Sequence, residues 1–255
     1  MKFIPILFSS PMVQAILDNR KSMTRRTLKP MAGEQKKWLT PELLNMAGIR
    51  GYGRSHEGDG YGEWGVSLEH PKGGPLGWIK CPYGQIGDVL WVRETTREFY
   101  EMDKDGCFDF ENKMFEYAAD NPPFRILVDG DGFHQYTREG LEKEIPWKPS
   151  IFMPKSACRI FLQVTDVRVE RLKDITVADI YSEGAITEEW ISWREDVEQI
   201  FVPGISNSTE TEKDVWEKLW RKINGDKSFE SNPWVWVVSF KQIDKPKNFL
   251  DGKSN

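Results

Sequence analysis

The sequence predicts an α+β fold: a small β-barrel or curled mixed sheet with flanking helices and long loop insertions. Three observations carry this. Short strand-like runs outnumber helical ones, no βαβ alternation is present, and well-patterned stretches are separated by segments of different composition. The 255 residues bound the answer to one large domain or two small ones. The patterned pieces read best as a single domain over 1–245 with its core at 3–30, 81–94, 146–189 and 211–243. Insertions then fall at 31–80, 95–145 and 190–210, and 246–255 reads as a polar tail.

Taken in order, Phe3–Phe8 reads as a strand. Ser10 followed by Pro11 is a helix start, with a capping hydroxyl and then proline in the first turn. Met12, Val13, Ile16 and Leu17 give that helix one apolar face, and Asn19 closes it. Arg20 through Arg26 is too polar for a core and strongly basic. The stretch 31–80 is rich in glycine, with Tyr52, Tyr61, Trp64 and Trp78 among the glycines, and reads as a long functional or locally packed loop. Gly87-Asp88 is a turn feeding a Val/Leu/Trp strand over 89–93. Residues 95–146 carry thirteen acids against six Lys/Arg and read as a solvated insertion. Ile160, Leu162 and Val164 alternate, and so do Val167 and Val169, which is strand periodicity. Thr176 with Asp179 is a capping box and Gly184 a helix stop. Thr211–Asp214 opens a helix with Val215, Trp216, Leu219, Trp220 and Ile223 on one face. Residues 233–240 form a dense β run, in which Trp234 and Trp236 share a face and are candidates to pack on that helix.

Net charge is −5, so a uniformly basic coat for nucleic acid is excluded. Charge is nevertheless segregated: residues 1–30 carry a net +5, residues 147–173 a net +4, and residues 174–220 a net −9. Basic segments within the patterned core suit an anionic ligand set against it; mutual neutralisation of acidic and basic segments is the plainer alternative. No run approaches the ~18 apolar residues that cross a bilayer, and the opening run is too short for a signal peptide. Three widely spaced cysteines, Cys81, Cys107 and Cys158, argue against a disulfide framework and for a reducing cytoplasm. The three histidines sit in Gly-rich or polar stretches and there is no CxxC, so neither metal nor cofactor is expected.

Several of these pieces together resemble the ASCH domain family, a PUA-like β-barrel, and most closely its phage- and prophage-encoded members. The matching runs are Ile6–Phe8 with Met12–Leu17, Arg20–Arg26, Gly87–Glu94, Pro146–Pro154, Val164–Leu172, Glu183-Gly184 and Asn232–Val237. They cover roughly half the chain in family order, while the three insertions depart from the compact family core. The resemblance implies a cleft beside the first helix that takes RNA, DNA or a modified nucleoside, in a bacterial or phage-infected cytoplasm. Arg20, Lys21, Arg25, Arg26 and Arg93 would line it. Some small family members hydrolyse 4-acetylcytidine with a Lys, a Thr and a Glu. Carried over, these fall on Lys21, Thr24 and Glu183, with Asn19 where the family usually has Gly.

The chemistry is coherent. A threonine hydroxyl is a weak nucleophile that needs an adjacent base, and a lysine depressed by burial supplies one. Glu183 would orient the ammonium or shuttle a proton. Lys21 and Thr24 can face one ligand if they lie on a helical turn; in a continuous strand they would point to opposite faces. Against this stand phosphate contacts for the cations, a plain strand position for Thr24 and a surface carboxylate for Glu183. Trp91 and Trp147 are candidates to stack a base, although Trp91 sits in an apolar strand and reads equally as core. A further alternative is a phage accessory protein that binds another protein through its acidic insertions.

Overall fold

The computed structural model describes residues 1–30, 35–54, 63–102, 108–120, 127–129, 132–134, 146–185 and 211–250. The fold is mixed α+β. Its centre is a five-stranded sheet built from β1 (Phe3–Leu7), β2 (Met23–Thr27), β6 (Val89–Arg93), β11 (Phe161–Arg171) and β12 (Trp234–Ile243), in the order β1-β6-β11-β12-β2. Strand β1 runs parallel to β6, with Phe3 opposite Val89 and Leu7 opposite Arg93. The other neighbours are antiparallel. Among the described residues the sheet does not close into a barrel: β1 and β2 stand at its two ends. The Arg26 guanidinium reaches from β2 to the Leu7 carbonyl of β1 at 2.8 Å.

Strand β11 explains a feature of its own sequence. The apolar alternation changes parity between Val164 and Val167, and the register against β12 shifts between Val164 and Asp166. The extra residue at this bulge restores the inward face, so Leu162, Val164, Val167 and Val169 all belong to the main core.

Apolar residues on both faces of the sheet find cover. One face meets α1 (Ser10–Leu17), whose Val13 and Ile16 pack with Ile6, Leu90, Leu162 and Trp236. The other face is shared. Over β12 and β2 lie α4 (Val177–Ser182) and α5 (Glu212–Asn224), where Trp216 and Trp220 pack on Val235, Val237 and Met23. Over β1, β6 and β11 lie the turns at 150–157 together with Phe249. Both capping boxes form, Thr176 with Asp179 and Thr211 with Asp214.

Several expectations need correction. The cap position of α1 is Ser9, and no side chain caps it. The described residues of the Gly-rich stretch do not form a loop throughout. They hold α2 (Gln35–Trp38), α3 (Pro41–Met46) and a three-stranded antiparallel sheet of β3 (Gly48–Arg54), β4 (Trp64–Glu69) and β5 (Pro75–Lys80). One of its glycines is a packing device: a Cβ at Gly65 would lie 2.3 Å from the Trp78 ring. Val235 and Val237, rather than Trp234 and Trp236, face the α5 tryptophans.

The acidic segment holds a hairpin of β7 (Thr96–Met102) and β8 (Phe108–Tyr117) and a short pair of β9 (Leu127–Asp129) and β10 (Gly132–His134). At its described base some of the charges are buried, while Asp120 stays exposed. Glu94 takes a two-pronged hydrogen bond from Arg159 at 3.0 and 2.8 Å, and Arg97 and Glu116 form a buried pair at 2.6 Å. The polar tail also contributes to the core, because Phe249 is wholly buried among Phe3, Trp91 and Phe161. The insertion at 190–210 lies outside the described residues, as do Tyr61 and Cys107.

Candidate functional site

Helix α1 ends at Leu17, and Asn19, two residues on, adopts the left-handed conformation with φ +58°. The N–H groups of Arg20 and Lys21 then both bond the Ala15 carbonyl, at 2.8 and 2.9 Å, and turn the chain sharply. Lys21 forms an isolated bridge with Glu183. Beside it, the Ser22 N–H donates to the Ser182 carbonyl at 2.9 Å. Only at Met23 does the regular strand β2 begin. Glu183 comes from a segment 162 residues away, at the C-terminal end of α4, where the next residue is left-handed Gly184 with φ +70°. A Cβ on Gly184 would sit 2.9 Å from both the Ala15 and Lys21 Cβ atoms, so glycine is what lets α4 approach α1 this closely.

The result is a buried polar node. Lys21, Thr24 and Glu183 are 3%, 2% and 7% exposed. The Lys21 ammonium donates to Glu183 Oε2 at 2.8 Å and to the Glu183 carbonyl at 2.9 Å. Glu183 Oε1 accepts from Arg25 Nη1 at 3.4 Å. Arg25 Nη2 donates to Glu170 at 2.5 Å and to Asp179 at 2.9 Å. Arg168, half-exposed, contacts Asp166, Glu170 and Asp179 from the outside. Charge thus alternates from the buried lysine out to the surface. Burial pushes the Lys21 ammonium below its usual range. Glu183 pulls it back up, and Arg26 and Arg25 add to the downward push. Burial works to raise the Asp179 carboxyl, yet Arg25 and Thr176 hold it below the usual aspartate range.

These residues border a cavity of about 1150 Å³. Lys21, Thr24 and Glu183 are buried residues of its lining. Met12, Tyr83, Trp216, Trp220 and Trp236 supply apolar and aromatic wall. The phase problem posed by Lys21 and Thr24 has a local solution. Lys21 stands outside the regular strand, so the alternation that begins at Met23 does not constrain it. Strand β2 is also last in its sheet, so Thr24, Arg25, Arg26 and Thr27 all border the hollow. The segment is therefore neither a helical turn nor one unbroken strand.

Of the residues singled out from sequence, Lys21, Thr24, Arg25, Arg26 and Glu183 meet at this cavity. Arg25, expected to face an anionic ligand, has its charge matched by three carboxylates. Arg20 lies beside the cavity rather than on it, donating to Asp18 and the Gly184 carbonyl. Arg93 is elsewhere: it donates to the Ile151 and Met153 carbonyls and lies over the Trp91 ring. Trp91 packs in the Phe249 cluster, and Trp147 lies under Arg97 at 4.5 Å, so neither stacking candidate faces the cavity. Trp64 and Trp78 are likewise absent from its lining, and Tyr52 is exposed on β3.

The missed contributors are Lys29, Lys80, Lys222 and the α5 tryptophans. The tryptophan spacing was legible but pointed to the core, which is half of their role. The lysines carry no pattern at all in the sequence. Among the described residues no group of three or more His, Cys, Asp or Glu is placed to hold a metal ion, and no helix is long and apolar enough to cross a membrane. Comparison of the chain with family models, with curated proteins and with solved structures finds no match.

Proposed function

We propose that the chain is an ASCH-like protein that binds a modified nucleoside in this cavity and hydrolyses the amide of acetylated cytidine. The observation that carries the proposal is the meeting of Lys21, Thr24 and Glu183, from two distant segments, at one cavity with the Lys21 ammonium on the Glu183 carboxylate. On this reading the five strands are a PUA-like barrel left open between β1 and β2, with the Arg26–Leu7 bond spanning the gap.

The proposed chemistry follows from the groups present. Thr24 Oγ1 attacks the acetyl carbonyl carbon while neutral Lys21 takes the hydroxyl proton. Lys21 returns that proton to the cytosine amine as the C–N bond breaks, leaving an acetyl ester on Thr24. Water, deprotonated by Lys21, then releases acetate and restores the hydroxyl. Burial of Lys21 favours the neutral amine that this role needs. Glu183 and Arg25 fix where the amine sits between steps, since the Lys21 hydrogen bonds go to Glu183 before substrate arrives.

The test is release of cytidine from N4-acetylcytidine, followed by chromatography. Thr24→Ala is expected to lose about 10²-fold or more in kcat. A Thr24→Ala protein as active as the wild type would remove Thr24 from the mechanism and the hydrolase assignment with it.

A further inference from the structure

The cavity is larger than its catalytic groups need. Sites that bury a drug-sized ligand span roughly 300–1,000 Å³; this one holds about 1150 Å³, and a cytidine is smaller than most drugs.

Charge within it is graded by depth. Among the buried lining residues, Lys21 and Arg25 are matched by carboxylates. Arg26 is committed to the Leu7 carbonyl and the Phe8 ring. At the mouth stand three exposed lysines from three different elements: Lys29 just past β2, Lys80 at the end of β5 and Lys222 in the last turn of α5. Lys80 pairs with Glu63. Lys29 and Lys222 make no ion pair among the described residues. Glu183 is the one carboxylate among the described lining residues, and it is buried. A ligand suited to this gradient has an aromatic or apolar body and an anionic end that stays near solvent.

We infer that the cavity takes a phosphate-bearing nucleotide rather than a free nucleoside. The base lies against Trp216, Trp220 and Tyr83 with its exocyclic amide at Thr24, and the phosphate lies at the mouth beside Lys29 and Lys222. The identity of the base rests on the function proposed above; the phosphate rests on the charge gradient and the surplus volume.

The experiment compares N4-acetylcytidine, its 5′-monophosphate and a trinucleotide that contains it. Each is assayed at about 50 and about 200 mM salt with the wild type and the Lys29→Gln/Lys222→Gln double variant. The ratio of kcat/KM for phosphorylated over free substrate is expected to be about tenfold or more at low salt, to shrink as salt rises, and to fall toward one in the double variant. A trinucleotide preferred over the monophosphate assigns the ligand to a nucleic-acid strand; equal rates assign it to a free nucleotide. A ratio near one in the wild type, or one that the double variant leaves intact, overturns the inference while the hydrolase proposal stands. If no acetylated substrate turns over, quenching of tryptophan fluorescence by cytidine and by cytidine monophosphate decides. Tighter binding of the monophosphate sustains the phosphate site and sinks the hydrolase; equal or absent binding sinks both.

Discussion

Glu183→Gln is the sharpest probe of the buried node. Glu183 accepts from Lys21 on one oxygen and from Arg25 on the other, whereas an amide can accept on one side only. The variant keeps the Glu183 carbonyl as a partner for Lys21 and removes the counter-charge. Breaking a buried ion pair on one side costs about 3–5 kcal/mol. A ceiling comes independently from the lysine, which can lose its proton instead. Moving its ordinary 10.5 to neutrality at pH 7 costs about 5 kcal/mol, at about 1.4 kcal/mol per unit. The two routes agree. They also set the pH dependence. With Lys21 neutral in the folded variant and protonated in the unfolded chain, the unfolded state binds the extra proton, so the variant gains stability as pH rises toward 10.5. Its deficit against the wild type should therefore shrink by up to about 3 kcal/mol between about pH 7 and 9. Urea denaturation followed by tryptophan fluorescence at several pH values measures this. A deficit below about 0.5 kcal/mol at pH 7, or one that stays flat across the range, would show that the ion pair does not hold Lys21 charged.

Four other outcomes are expected. In the proposed reaction, the rising limb of log kcat/KM against pH should lie below 10.5, because burial depresses Lys21. Glu183→Gln should move that limb to lower pH, because Glu183 pulls the lysine up; a shift to higher pH contradicts the assigned pairing. Gly184→Ala places a Cβ 2.9 Å from the Ala15 and Lys21 Cβ atoms at φ +70°. It should cost about 1–3 kcal/mol, read from the denaturation midpoint, and an unchanged midpoint refutes the close approach. Phe249→Ala should cost about 3–5 kcal/mol, since the ring is fully buried edge-on to Phe3, Trp91 and Phe161 at 5.3, 5.8 and 4.7 Å. A loss under about 1 kcal/mol would mean that the segment around residue 249 does not dock in solution.

Local chemistry was legible in the chain. A turn feeding a Val/Leu/Trp run marked β6, period-2 alternation marked β11 and a dense β run marked β12, and the β11 bulge is visible as a change of parity after Val164. Side-chain caps marked the starts of α4 and α5, and Gly184 the end of α4, because each such signal depends on residues within a turn of one another. The basic run 20–26 stood out in the same way, and Lys21, Thr24, Arg25 and Arg26 of it border the cavity. What no local signal carried was every contact between distant segments. Glycines in the 31–80 stretch were read as loop, although three strands pair there, because strand pairing is settled by partners and glycine has no side chain to announce it. Phe249 looked like part of a polar tail because one aromatic among charges has no periodicity, and only the Phe3–Trp91–Phe161 nest gives it a reason to be buried. Lys21, Thr24 and Glu183 could be nominated from the sequence through resemblance alone. Their meeting at one cavity depends on β2 lying last in its sheet, on α4 ending against α1 at a glycine, and on a lysine and a glutamate that are 162 residues apart closing a buried ion pair.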